Sequence, residues 1–141
     1  MKGTIFLRSN PALPVFAVML FFAAACNNHS APPLTAVTVE KEMIDMGQLQ
    51  LNQPADAVFR ITNTGQHDLL ITGVTPDCHC TNVVWDSLPI NPGGFTLVKT
   101  TYDSKIPGLF QKLIQVNANV QGSPLLLIIR GNVNDSAATK Q

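Results

Sequence analysis

The chain has little of what marks an enzyme or a nucleic-acid binder. There is no Gly-x-Ser-x-Gly turn, no glycine-rich phosphate loop and no closely spaced carboxylate pair, so the commonest catalytic constellations have no seat. Asp56, Asp68 and Asp103 fall at the ends of strand-like runs, where solvated turn positions explain them. Lysine and arginine form no cluster, which excludes the electrostatic footprint of a nucleic-acid partner. No segment sustains a 3.6-residue apolar repeat for three turns, so helices are not expected. Cysteine is scarce, at three, and tryptophan occurs once, at Trp85.

What is present begins with an address. Lys2 and Arg8 precede an apolar run from Leu13 to Ala25, short for a membrane span but right for the apolar region of a signal peptide. The run ends Ala23-Ala24-Ala25-Cys26. Small residues directly before a cysteine resemble a bacterial lipobox, with residues 1–25 removed and Cys26 lipidated. An anchored Cys26 has no thiol for a disulfide, and its acyl chains, at about 0.8 kcal/mol per buried CH₂, hold the chain on a membrane. Loss of Lys2 and Arg8 takes the basic count from 9 to 7 against 9 acids, a mature net charge of 7 − 9 = −2. Residues 26–34 are polar and contain proline, which reads as a tether. Asn27 and Asn28 carry no acidic surface-export signal, so the expected place is the outer membrane, facing the periplasm. Export also places the domain in an oxidising compartment.

From Val37 the pattern has period two. A run through Ile44 and Met46, broken at Gly47, reads as a first strand. Ala57, Phe59 and Ile61 alternate with outward Val58, Arg60 and Thr62. Asn63-Thr64-Gly65-Gln66 reads as a turn with Gly65 at positive φ. Leu69 and Ile71 begin the next strand, with a bulge or kink at Gly73. Past the turn at Pro92-Gly93, Val98, Thr100 and Tyr102 share one phase, as do Phe110, Ile114, Val116 and Ala118. Leu127, Ile129 and Val133 point inward with Gly131 between them. Leu125 to Ile129 is continuously apolar, which implies a strand buried on both faces or an edge covered by a partner. Strands every ten to fifteen residues predict an all-β fold, an antiparallel immunoglobulin-like β-sandwich of about seven strands over residues 35–134. Residues 135–141 read as a frayed tail. Phe59, Ile61, Val98, Tyr102, Ile114 and Val116 are the expected inter-sheet core, and Trp85 is expected to join it rather than face a partner.

Several fragments, in order and spacing, resemble one family: Phe59-Arg60-Ile61-Thr62-Asn63-Thr64-Gly65, Leu69-Leu70-Ile71, Cys78-His79-Cys80-Thr81, Pro92-Gly93, Thr101-Tyr102-Asp103 and the closing Gly131. The chain from about Ile44 to Val133 is similar to the DUF1573 bacterial envelope proteins, with their F-x-x-x-N-x-G, L-x-I, C-G-C-T and P-G pattern. The resemblance implies an immunoglobulin-like domain of the ASH/MSP type, a class of binding and assembly modules, and no established biochemical role. His79 replaces the glycine between the cysteines. Histidine enters φ > 0 less readily, which weighs against a bridge here and adds a ligand.

The Cys78-His79-Cys80 stretch is the candidate site. On an extended strand the two cysteine Cα atoms would stand roughly 6.6 Å apart, near the upper limit for a disulfide, so a bridge needs a bend at His79. Three readings stand: a structural pair, a soft-metal site for copper or zinc with His79 as a further ligand, and a redox pair. His67, Met43 and Met46 are the other donors, the methionines expected in the core and His67 in solvent. Pro76 and the turn-rich residues 86–94 predict that the stretch ends a strand and opens an exposed loop at one end of the sandwich, bent at Asp77 to His79. The whole reads as a lipid-anchored, non-enzymatic envelope module with a protein partner; the alternative is a periplasmic metal or thiol-handling protein using Cys78, His79 and Cys80.

Overall fold

The computed structural model describes residues 31–135; the expected signal peptide, the expected lipidation site Cys26 and most of the expected tether and tail lie outside them. Eight strands form two four-stranded sheets: β1 Val37–Val39, β2 Met43–Gln50, β3 Ala55–Asn63, β4 Ile71–Pro76, β5 Thr81–Val84, β6 Phe95–Tyr102, β7 Gly108–Ala118 and β8 Leu125–Asn134. One sheet runs β1-β3-β6-β5 and the other β2-β8-β7-β4. Every pairing is antiparallel except β2 with β8, which is parallel.

The expected core is the observed one. Phe59, Ile61, Val98, Ile114, Val116, Leu127 and Ile129 are buried to 1% exposure or less. The cause is the pleat: each strand sends alternate side chains between the sheets. Tyr102 of β6 stacks on Phe110 of β7 across the two sheets, with ring centroids 4.0 Å apart, a contact worth about 0.5–1.5 kcal/mol beyond its burial.

Several details differ from the pattern. The stretch that reads as one strand from Val37 is two, because residues 40–42 carry the chain from one sheet to the other. Alternation gives the phase of a strand but not its sheet. Gly47 does not end the run; it sits at φ 67° in a bulge between Asp45 and Gln48, and β2 continues to Gln50. The eighth strand, β5, follows the second cysteine directly. Leu69 lies before β4 and bridges to Ile90, while the register shift at Gly73 is as expected. β8 is neither an edge nor buried on both faces. It lies between β2 and β7 with Leu126 exposed.

Gly65 is not at positive φ. It is glycine because a Cβ there would collide with Thr35 Oγ1 and the Ala36 nitrogen. This close approach belongs to a buried polar hub around Asn63, which is fully buried. Its Oδ1 accepts from Thr35 Oγ1 (2.9 Å) and the Gly65 amide (3.1 Å). Its Nδ2 donates to the His67 and Ile90 carbonyls, both at 2.8 Å. All four hydrogen-bonding positions of the amide are filled, so its burial leaves no polar group unpaired. Asn119 does similar work beside it: Nδ2 donates to the Pro33 and Asp68 carbonyls and Oδ1 accepts from the Leu70 amide. Together they fasten the N-terminal segment to one end of the sandwich.

Candidate functional site

The Cys78-His79-Cys80 turn sits at the opposite end, at the far end of β4 from His67. β4 stops at Pro76, which has no amide hydrogen, and Asp77 takes over its ladder. The Asp77 amide donates to the Leu113 carbonyl (2.9 Å), and its carboxylate accepts from the Leu113 amide (3.0 Å). Residues 77–80 then carry the chain into the other sheet, where β5 begins at Thr81. The Asp103 amide donates to the Cys80 carbonyl at 2.8 Å, tying the turn to the loop after β6. The bend is thus where it was expected, but the loop is short because β5 follows at once.

Cys78 and Cys80 are disulfide-bonded, with Cα atoms 5.2 Å apart. The bend closes the gap that an extended strand would leave. It does so without positive φ at His79, so histidine is no obstacle to the bridge. His79 is exposed at the apex, and both cysteines are half-buried. With the sulfurs joined, neither is a thiolate, so metal ligation here starts from a reduced turn.

The other candidate donors are not brought to it. Met43 and Met46 lie on β2, at the far edge of the sheet from β4. Met43 is exposed rather than core, while Met46 packs partly on the core and His67 is exposed. Among the described residues no three His, Cys, Asp or Glu side chains cluster as a metal site. Trp85 packs against the core as expected, half-buried, with its Nε1 enclosed and without a hydrogen-bond partner.

A second feature was not anticipated. The outer face of β3-β6-β5 carries Val58, Val84, Phe95 and Leu97, which with neighbouring Leu88 are 45–67% exposed. The register interleaves the strand residues with two cations: Lys99 stands between Val58 and Val84, and Arg60 stands opposite Leu97. The Arg60 guanidinium lies 3.5 Å over the Phe95 ring. Asp56, on the same face, accepts the Thr101 hydroxyl at 2.7 Å, and the Glu40 amide donates to the Arg60 carbonyl at 3.1 Å at its rim. The two ion pairs among the described residues are Lys105–Asp103 and Arg130–Asp45, so neither Arg60 nor Lys99 has a carboxylate partner. The signal was in the sequence. Val58, Phe95, Leu97 and Val84 occupy the outward phase of strands whose inward phase was already apolar.

The comparisons agree with this architecture. The family model described as protein of unknown function (DUF1573) matches residues 37–133. A Porphyromonas gingivalis protein of unknown function superposes with TM-score 0.65 at 23% identity, over 72% of this chain and 48% of that one, so this chain spans about half its length. The ASH/PapD-like domain 7 of human CEP192 gives TM-score 0.62 at 13% identity, over 75% of this chain and 90% of that domain. The VesB protease of Vibrio cholerae gives 0.54 at 14% identity, over 70% and 31%. At these identities the likeness is one of fold. No curated protein matches the sequence.

Proposed function

The chain belongs to the DUF1573 family, and from that premise we propose that it is a lipid-anchored, non-enzymatic binding module of the bacterial envelope that docks a protein through the outer face of β3-β6-β5. The observation that carries this reading is the cluster of exposed apolar side chains interleaved with two cations that have no carboxylate partner among the described residues. Single exposed apolar side chains need no explanation, whereas a contiguous patch on a small domain marks an interaction surface. Arg60 and Lys99 define the partner's chemistry: an apolar surface that brings carboxylates to both.

The anchor completes the proposal. Cys26 is the lipidation site, and the tether reaches the sandwich at the Asn63–Asn119 end, away from the disulfide turn. Three measurements test the reading. Cys26→Ser should release the chain from membranes; unchanged fractionation and an unchanged lipid label would remove the anchor from it. A photo-cross-linker at position 97 in native membranes should give a discrete adduct that Val58→Asp abolishes, while one at position 115, on the other sheet, should not. Equal adducts from both faces, or none from position 97, would overturn the docking face. Copper(I) uptake by the reduced chain that vanishes in Cys78→Ser would move the assignment to metal handling.

A further inference from the structure

The outer face of the second sheet is of another kind. Where β2, β8 and β7 run side by side, an open groove of about 560 Å³ is lined by five polar side chains together with Leu109, Phe110 and two glycines. Cross-strand register sets them in two rows. Asp45, Arg130 and Gln111 form one, and Gln48, Asn132 and Leu109 the other.

Each row is oriented by its own hydrogen bonds. The bulge brings the Gly47 amide to Asp45 Oδ1 at 2.9 Å, which holds the carboxylate and keeps it below the usual carboxylate range. Asp45 Oδ2 in turn accepts from Arg130 Nε at 3.1 Å. The guanidinium is thereby aimed, while its terminal nitrogens have no protein acceptor among the described residues. Asn132 Nδ2 donates to Gln48 Oε1 at 3.1 Å, which sets that amide pair. Leu109, paired with Asn132, is 89% exposed.

We infer that this groove binds a glycan chain. Three features select that class. The charges of Asp45 and Arg130 cancel, so the groove offers fixed donors and fixed acceptors with no net charge, which suits hydroxyls that donate and accept together. An anionic ligand reaching for Arg130 would meet the Asp45 carboxylate. The floor of the groove is a sheet face on which β8 is paired on both sides, whereas extended peptides are captured along a free backbone edge, which here lies at the rim, outside β2. The rows cross three strands, a breadth of about 10 Å, and one of them ends at an exposed leucine on which the C–H face of a sugar ring can pack.

The test is saturation-transfer NMR on the full chain in detergent, with chitohexaose, cellohexaose and maltohexaose as probes. At least one should receive saturation. Arg130→Ala should weaken that binding by about tenfold or more, the effect of losing hydrogen bonds to a charged group. Gln111→Leu should weaken it with the urea midpoint unchanged, and Thr38→Ala, on the other sheet, should leave it intact. Transfer to none of the three, equal transfer in wild type and Arg130→Ala, or tighter binding of citrate than of any hexasaccharide would overturn the inference.

Discussion

Opening the Cys78–Cys80 disulfide should weaken the domain by a modest, calculable amount without unfolding it. The bond joins residues two apart, so the closed loop holds three residues. The chain-entropy relation, −2.1 − 1.5R ln n, gives about −5.4 cal/mol/K for n = 3, or about 1.6 kcal/mol at 298 K. That is less than one large core truncation, at about 3–5 kcal/mol. The turn also keeps its other ties when the bridge opens: Asp77 with Leu113 in both directions, and the Asp103 amide to the Cys80 carbonyl. At about 4–8 °C per kcal/mol for a domain of this size, the melting temperature should fall by roughly 6–13 °C.

The assay is a urea titration of the Cys78→Ser/Cys80→Ser chain against wild type, the latter with and without reductant. Trp85, the one tryptophan, reports from its place against the core. Its fluorescence and the far-ultraviolet dichroism should give one transition with an unchanged slope and a lower midpoint. A loss beyond about 3 kcal/mol would refute the entropic argument and make the bridge a condition of folding. A midpoint that does not move would show that the bonded turn restricts nothing the unfolded chain would otherwise explore.

Phe59→Ala, at a side chain 1% exposed, should cost about 3–5 kcal/mol in the same titration; a midpoint that barely moves would place the core on the other face. Asn63→Ala should cost about 3 kcal/mol or more, since it strands buried partners on both sides of the amide; a cost below about 1 kcal/mol would mean that water replaces the amide. Burial, and secondarily the Asp103 carboxylate, raises the Tyr102 phenol above its usual range. The folded state therefore holds this proton more tightly, so the contribution is complete below the unfolded value near pH 10 and is lost as pH rises beyond it. Tyr102→Phe should flatten that alkaline loss, and identical midpoint-against-pH curves for the two proteins would refute the assignment.

How much of this was legible depends on what the pleat encodes. The inward phase of β3 and β6 was readable because burial on one face writes an apolar residue at every second position. The outer face was readable by the same rule but was hidden by its own composition: Val58 and Leu97 sit in the phase reserved for polar residues, beside Arg60 and Lys99. The division of residues 37–50 between two sheets was not readable, because alternation is the same in either sheet. Asn63 shows the deeper limit. In sequence, Asn63-Thr64-Gly65 has the composition of a solvated turn. In the fold the asparagine is a fully satisfied buried hub whose partners include Thr35 and Ile90, 28 and 27 residues away. Local propensity cannot distinguish an amide that meets water from one that meets distant backbone. The same blindness misassigned Gly65, where the constraint is the approach of Thr35 and Ala36 rather than the glycine's own φ. The F-x-x-x-N-x-G pattern thus acquires a physical reading: Phe59 fills the core, Asn63 fastens the N-terminal segment to it, and Gly65 leaves the space in which that segment lies.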